Sequence, residues 1–217
     1  MGDDPALRRL IDHVLTARDT RTPLCLRGHG SKDFYGEAPR GETLDMTPLA
    51  GISHYEPTEL VVTVRAGTPL EQLEAALAEH GQCLAFEPPR FRDDDAGAPP
   101  RGTVGGMVAA GLAGPSRAAV GGVRDFVLGA ALLNGNGDVL RFGGEVMKNV
   151  AGYDVARVLA GSLGILGPIV EVSLKVLPLP PAADASEKRQ PAPPNPLTLN
   201  SVLNTNGNWL DGVTVCV

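Results

Sequence analysis

A globular protein of mixed helix and strand is what this sequence predicts, on three observations. Leu7, Leu10, Ile11, Val14 and Leu15 recur at helical spacing near the start of the chain. Leu60-Val61-Val62-Thr63-Val64-Arg65-Ala66 is a β-branched run that turns at Gly67 into a helical pattern. From Ile165 to Val176 an apolar stretch continues as a long strand, closed by Pro178-Leu179-Pro180-Pro181. The 217 residues, 43% of them hydrophobic, suffice for a buried core.

Taken in order, the first helix ends before Thr22-Pro23, and Leu24-Cys25-Leu26-Arg27 follows as a short strand. Thr43-Leu44-Asp45-Met46 predicts another. Thr68-Pro69-Leu70-Glu71 has the form of a capping box, with Thr as N-cap and Pro at the first helical position. Leu70, Leu73, Ala76 and Leu77 give that helix its apolar stripe, and Gly81 stands where a left-handed end residue is expected. Arg90 to Pro100, with Asp93, Asp94 and Asp95, reads as an exposed loop. Phe126 to Leu133 predicts a buried strand, and Asn134-Gly135-Asn136-Gly137-Asp138 a hairpin turn returning through Val139-Leu140-Arg141-Phe142. Asp154 caps a short helix that stops at Gly161. After Pro181 the composition turns rich in Pro, Ala and charge, as in a linker, and the tail beyond it is too short to bury a core alone.

The net charge of -6 and pI near 5.2, with no basic cluster, exclude the positive footprint of a nucleic-acid binder. Met1 to Leu15 carries Asp3, Asp4, Arg8, Arg9 and Asp12, so it has neither a signal-peptide core nor a spanning helix, and a cytoplasmic location is expected. Cys25, Cys83 and Cys216 are odd in number and widely separated, unlike a disulfide framework or a thiolate metal site. Three consecutive aspartates in a Pro/Gly-rich loop give no rigid oxygen cage, so no metal is expected.

Three glycine loops carry the functional signal. Arg101 to Gly114 is almost devoid of large side chains, and Gly102, Gly105 and Gly106 sit where a helix begins. Clustered glycine weakens a scaffold unless backbone must approach something closely. A helix start offers unpaired N–H groups to a phosphate; a tight turn before a close-packed helix fits the local pattern equally well. Gly28-His29-Gly30-Ser31-Lys32 could converge N–H groups, a hydroxyl and a charge on an anion, or form a plain turn. Gly161-Ser162-Leu163-Gly164 is the third loop. The dinucleotide signature Gly-x-Gly-x-x-Gly fails at Asp33, and the P-loop order is absent.

Arg27-Gly28-His29-Gly30-Ser31, Thr103-Val104-Gly105-Gly106, Val123-Arg124-Asp125-Phe126-Val127-Leu128-Gly129 and Lys148 through Gly167 together resemble the FAD-binding domain of the vanillyl-alcohol oxidase and p-cresol methylhydroxylase flavoproteins, over about Thr22 to Pro178. Within that family, Arg141 to Asp154 is similar to the E-type FAD-binding subunits of bacterial glycolate oxidases. The resemblance implies an α+β fold in which two subdomains grip an extended FAD and the flavin points toward a separate cap domain. It divides the chain into an FAD-binding domain over 1–180, a linker over 181–196 and a truncated cap remnant over 197–217. It implies that Gly28, His29, Gly30, Ser31 and Lys32 form the first pyrophosphate loop and Gly102, Thr103, Val104, Gly105 and Gly106 the second. Ala109, Ala110 and Gly111 would line the flavin side. Pro88 would sit on the extended approach, with Gly161, Ser162, Gly164 and Ile169 beside the cofactor.

Relatives often have glutamate where Leu163 stands, so that carboxylate contact is absent. His29 lies between two glycines instead of following them, unlike the histidine that some relatives bond to FAD, so a non-covalent cofactor is expected. The resemblance implies an FAD-dependent oxidoreductase subunit that works on a small 2-hydroxy acid with a catalytic FAD subunit and an iron–sulfur subunit, cytoplasmic or peripheral to the inner membrane through those partners. An autonomous flavin oxidoreductase and a structural subunit without FAD are the alternatives. No residue is assigned as a catalytic base.

Overall fold

The computed structural model describes residues 4–35, 40–91, 102–145 and 153–180. The expected linker and cap remnant, Asp93 to Asp95, Arg101 and the stretch 146–152 lie outside the described residues.

Helix α1 (Pro5–Thr20) starts at Asp4, whose carboxylate accepts from the Ala6 N–H at 2.8 Å, and it stops at Arg21 in the left-handed region. Strands β1 (Leu24–Arg27) and β2 (Glu42–Asp45) pair in parallel, Leu24 opposite Glu42. Strand β3 (Ile52–Glu56) and strand β4 (Val61–Arg65) are antiparallel neighbours. Helix α2 (Leu70–Glu79) forms where expected, but the capping box does not. The Thr68 hydroxyl instead donates to the Gly51 carbonyl at 3.1 Å and accepts from its N–H at 2.9 Å, and Pro69 stands at the helix start without a side-chain cap. A tertiary partner outcompetes the local one, fastening the loop before β3 to the turn after β4.

Strand β5 (Gln82–Cys83) follows, then helix α3 (Val104–Ala110), short helices α4 (Arg117–Val120) and α5 (Val123–Phe126), and the hairpin of β6 (Val127–Leu133) with β7 (Val139–Gly143). Phe126, expected at a strand start, belongs to α5, because the Asp125 carboxylate accepts from the Gly122 N–H at 2.8 Å and closes a helical turn. Helix α6 (Val155–Val158) is capped by Asp154 as expected. Strand β8 (Ile169–Lys175) begins four residues later than the sequence suggested. Ile165 and Leu166 lie in an exposed turn, since Gly164 and Gly167 both take positive φ. Strand β9 (Leu177–Pro178) pairs with β5.

The main sheet has the order β3-β4-β8-β6-β7 and is antiparallel throughout. One face packs Val62, Val64, Val172 and Leu174 against Leu73 and Leu77 of α2 and Val104 and Val108 of α3. On the other, Ala131, Leu133 and Val170 meet Leu7, Leu10 and Val14 of α1, with Leu44 of β2. Helix and strand are thus segregated around an antiparallel sheet, an α+β arrangement, with the small parallel pair carried at one side.

Candidate functional site

Strand β1 delivers the first glycine loop. Gly30 takes φ +69, and a Cβ there would stand 2.6 Å from Arg27 Nη2 and 2.8 Å from Asp33 Oδ2, so the loop's curvature depends on glycine. Arg27 closes the loop by donating to Asp33, with Nε at 3.0 Å from Oδ2 and Nη2 on the same oxygen. The Asp33 hydrogen bond, followed by its charge, raises the Arg27 pKa. The amide N–H groups of Gly28, His29, Gly30, Ser31 and Lys32 have no hydrogen-bond partner among the described residues. A run of unspent backbone donors on a tight turn can form a nest for an anion.

The second loop behaves differently. At the start of α3 the Val104 N–H donates to the Thr68 carbonyl at 2.9 Å, that of Gly105 to the Ala66 carbonyl at 2.7 Å and that of Gly106 to Thr103 Oγ1 at 3.2 Å. The unpaired donors expected from this helix start are therefore engaged within the protein. What Gly105 and Gly106 provide is closeness: Gly105 is buried against Ala66, and Gly106 leaves the cleft beside it open. The Val104 side chain is fully buried in the core.

The third loop is tied to the second. Gly161 and Leu163 donate their N–H groups to the carbonyls of Val108 and Ala109, at 3.0 and 2.8 Å. Gly111, the left-handed end of α3, packs so closely that a Cβ would stand 2.9 Å from the Gly161 backbone. A Cβ on Gly164 would reach Leu26 at 2.9 Å, and one on Gly28 would reach Thr103 Oγ1 at 2.6 Å. Loops one, two and three are thus in mutual contact.

Two narrow clefts flank the start of α3. The first is lined by Gly28, Thr103, Gly105, Gly106, Ala109, Leu163, Gly164 and Ile169, with Leu26, Met46 and Ala66 as apolar floor. The second is lined by Lys32, Pro88, Gly102, Thr103, Ala110 and Leu112. Most residues that the resemblance pointed to come together here; His29, Gly30, Ser31, Val104, Gly111, Gly161 and Ser162 shape the loops without lining either cleft. The glycine pattern did not single out Leu26, Met46 or Leu112, which are ordinary apolar positions in sequence, nor Phe91, whose ring centroid lies 6.0 Å from Lys32 Nζ.

Lys32 is buried, and among the described residues its ammonium has only the Ser31 hydroxyl within reach, at 3.5 Å. Burial pushes its pKa down. No carboxylate pairs with it among the described residues.

A larger cleft of about 820 Å³ opens elsewhere, over the polar stripe of the main sheet. There Ser53 donates to Glu171 at 2.5 Å, Arg141 pairs with Glu171 at 3.1 Å, and Thr63 joins Ser173 at 2.8 Å and Glu145 at 3.0 Å. Its polar side chains pair with one another, whereas the second glycine cleft is lined by the buried Lys32.

The FAD binding domain family matches residues 8–143. The chain belongs to this family. Over 174 residues this FAD-binding domain is 52% identical to glycolate oxidase subunit GlcE of Escherichia coli, a match covering 80% of this chain and 48% of that subunit. It is 31% identical over 173 residues to glycolate oxidase subunit GlcD of Bacillus subtilis, covering 78% of this chain and 35% of that protein. The chain therefore spans about half, or less, of the length of these relatives. A solved alkyldihydroxyacetonephosphate synthase shares its fold with a TM-score of 0.62 at 21% identity, over 81% of this chain and 31% of the synthase. Among the described residues no helix is long and apolar enough to cross a membrane, and no group of three or more His, Cys, Asp or Glu side chains could hold a metal.

Proposed function

We propose that the chain holds FAD non-covalently as the cofactor-binding part of a glycolate oxidase-type subunit, acting with a catalytic FAD subunit and an iron–sulfur subunit on a small 2-hydroxy acid. The observation that carries the reading is the run of amides from Gly28 to Lys32 with no partner among the described residues, its first residue lining one cleft and its last the other. The cofactor would lie across this junction with its diphosphate on the first loop, and with Thr103, Gly105 and Gly106 close enough to admit it only because their side chains are small or turned inward. FAD supplies electron transfer when bound; this chain's residues hold and orient it.

A subunit role is favoured over independent catalysis because neither cleft is lined by a histidine or a carboxylate among the described residues, and oxidation of a 2-hydroxy acid needs a group to take the hydroxyl proton. The base then comes from outside the two clefts. Cytoplasmic placement, with any membrane association provided by the partners, goes with this reading.

The test is reconstitution. Purified chain mixed with FAD is expected to quench flavin fluorescence with saturable 1:1 stoichiometry and to release intact FAD on denaturation. Protein that takes up no FAD under these conditions refutes the proposal. Isolated chain whose flavin bleaches on adding glycolate refutes the subunit role and leaves the cofactor role standing.

A further inference from the structure

We propose that Lys32 is a counter-ion held in waiting for the cofactor's diphosphate, so that FAD binding is coupled to uptake of a proton by the neutral fraction of its side-chain amine; this deepens the FAD-binding reading above and rests on it.

The inference starts from an imbalance of charge. A buried ammonium ordinarily has a carboxylate beside it, because leaving an ion in a poorly solvated place without a partner is costly. Lys32 is 8% exposed. Its surroundings are the Ser31 hydroxyl, the Phe91 ring and the apolar or glycyl walls formed by Pro88, Gly102 and Leu112.

Among the described residues none of the charged groups on the elements packed around it pairs with it. In its own loop Arg27 and Asp33 pair with each other. In the segment leading to Phe91, Glu87 accepts from the Ser116 N–H at 3.3 Å, and Arg90 pairs with Glu74 of α2. Glu71 of α2 makes no ion pair with Lys32, and His29 and Tyr35 are the other titratable side chains between Arg27 and Tyr35. From Gly102 to Leu112 there is no ionisable side chain at all. Lys32 therefore lines the second cleft with no anion of its own among the described residues, at the end of the loop whose amides have no partner among them.

The sign follows from burial. In the free protein desolvation lowers the Lys32 pKa, so part of the population gives up its proton at alkaline pH. A diphosphate beside it favours the charged form and moves the pKa back up. A group whose pKa rises on binding takes up a proton, and affinity falls as pH rises from the free-state pKa to the bound-state pKa. The amides of Gly28 to Lys32 contribute at every pH, so binding weakens without vanishing.

The experiment measures FAD affinity of the full chain from neutral to alkaline pH, in the native protein, Lys32→Arg and Lys32→Met, with ADP and riboflavin as separate probes. Native protein is expected to lose FAD and ADP affinity as pH rises while riboflavin binding stays flat. Lys32→Arg keeps a charge that does not titrate and should flatten the profile at the high-affinity end; Lys32→Met should flatten it at the low end, about tenfold or more weaker at neutral pH, the cost of one charged hydrogen bond. Calorimetry of the native protein in buffers of different ionisation enthalpy gives the proton count directly, whatever the variants' stability. A flat native profile, no proton uptake, or a decline shared equally by all three proteins overturns the proposal. A profile that appears with riboflavin and not with ADP also overturns it. Failure of the native chain to bind FAD at any pH would instead remove the reading on which it rests.

Discussion

Gly105 lies directly against Ala66: its N–H donates to the Ala66 carbonyl at 2.7 Å, and a Cβ built on it would stand 2.6 Å from the Ala66 Cβ. Ala66 is the first residue after β4, and its own N–H is bonded to Val170 of β8 at 3.0 Å. One glycine thus fastens α3, and with it the second loop, to the centre of the main sheet. Gly105→Val is expected to act first on the fold, costing about 1–3 kcal/mol of stability through overpacking. The check is the thermal transition of FAD-free protein; a Tm equal to the native value would contradict this contact.

Gly106 separates cofactor approach from folding. A Cβ there meets only Thr103 Oγ1, at 3.1 Å, and the residue lines the first cleft. Leucine at this helical position gains about 1 kcal/mol of helix propensity over glycine, which offsets the tight Thr103 contact. Gly106→Leu should therefore melt within a few degrees of the native chain in the absence of FAD and bind FAD at least about tenfold more weakly, as one lost charged hydrogen bond would. Fluorescence titration reads the second effect, and native-like affinity would displace the cofactor from this cleft.

These two neighbours show how far the sequence could be read. Clustered glycines marked the loops that pack closely on one another, because close backbone approach leaves a compositional trace whatever its cause. They did not distinguish Gly105, spent on Ala66, from Gly106, which faces the cleft, since that depends on which way α3 turns over the sheet. Helix α1 and strand β4 were legible because their periodicity is decided by burial. The capping box at Thr68 and the start of β8 were not: Gly51, distant in sequence, claims the Thr68 hydroxyl, and two glycines at positive φ delay the strand. Lys32 was visible as a lysine in a glycine loop. That it is buried without a carboxylate partner among the described residues is a property of the folded chain alone.

The bond between the second and third loops gives a further expectation. Gly111 takes φ +65 at the end of α3, and a Cβ there would stand 2.9 Å from both Cα and N of Gly161. Gly111→Ala adds left-handed strain of about 1–2 kcal/mol to a backbone clash. The cost should fall on loop three, which hangs on α3 through the Gly161 and Leu163 amides. Hydrogen exchange is expected to speed up at Gly161 and Leu163 more than in β4 or β8; uniform protection across the chain would argue that the contact is dispensable.

The polar stripe under the larger cleft tests a different kind of packing. Thr63 and Ser173 are both buried on adjacent strands, with hydroxyls 2.8 Å apart, and Thr63 also donates to Glu145 at 3.0 Å. Thr63→Val keeps the shape but leaves the Ser173 hydroxyl without its partner, which costs about 1–3 kcal/mol when a buried polar atom is stranded. Ser173→Ala strands less, because Thr63 retains Glu145. The double variant removes both hydroxyls, and the half-exposed Glu145 carboxylate can rehydrate. It should therefore be more stable than Thr63→Val alone, although it carries one more substitution. Denaturant midpoints for the four proteins close the cycle. Strictly additive losses would mean that the two hydroxyls do not depend on one another, and a double variant less stable than either single one would place the stabilisation in the hydroxyls themselves instead of in their mutual satisfaction.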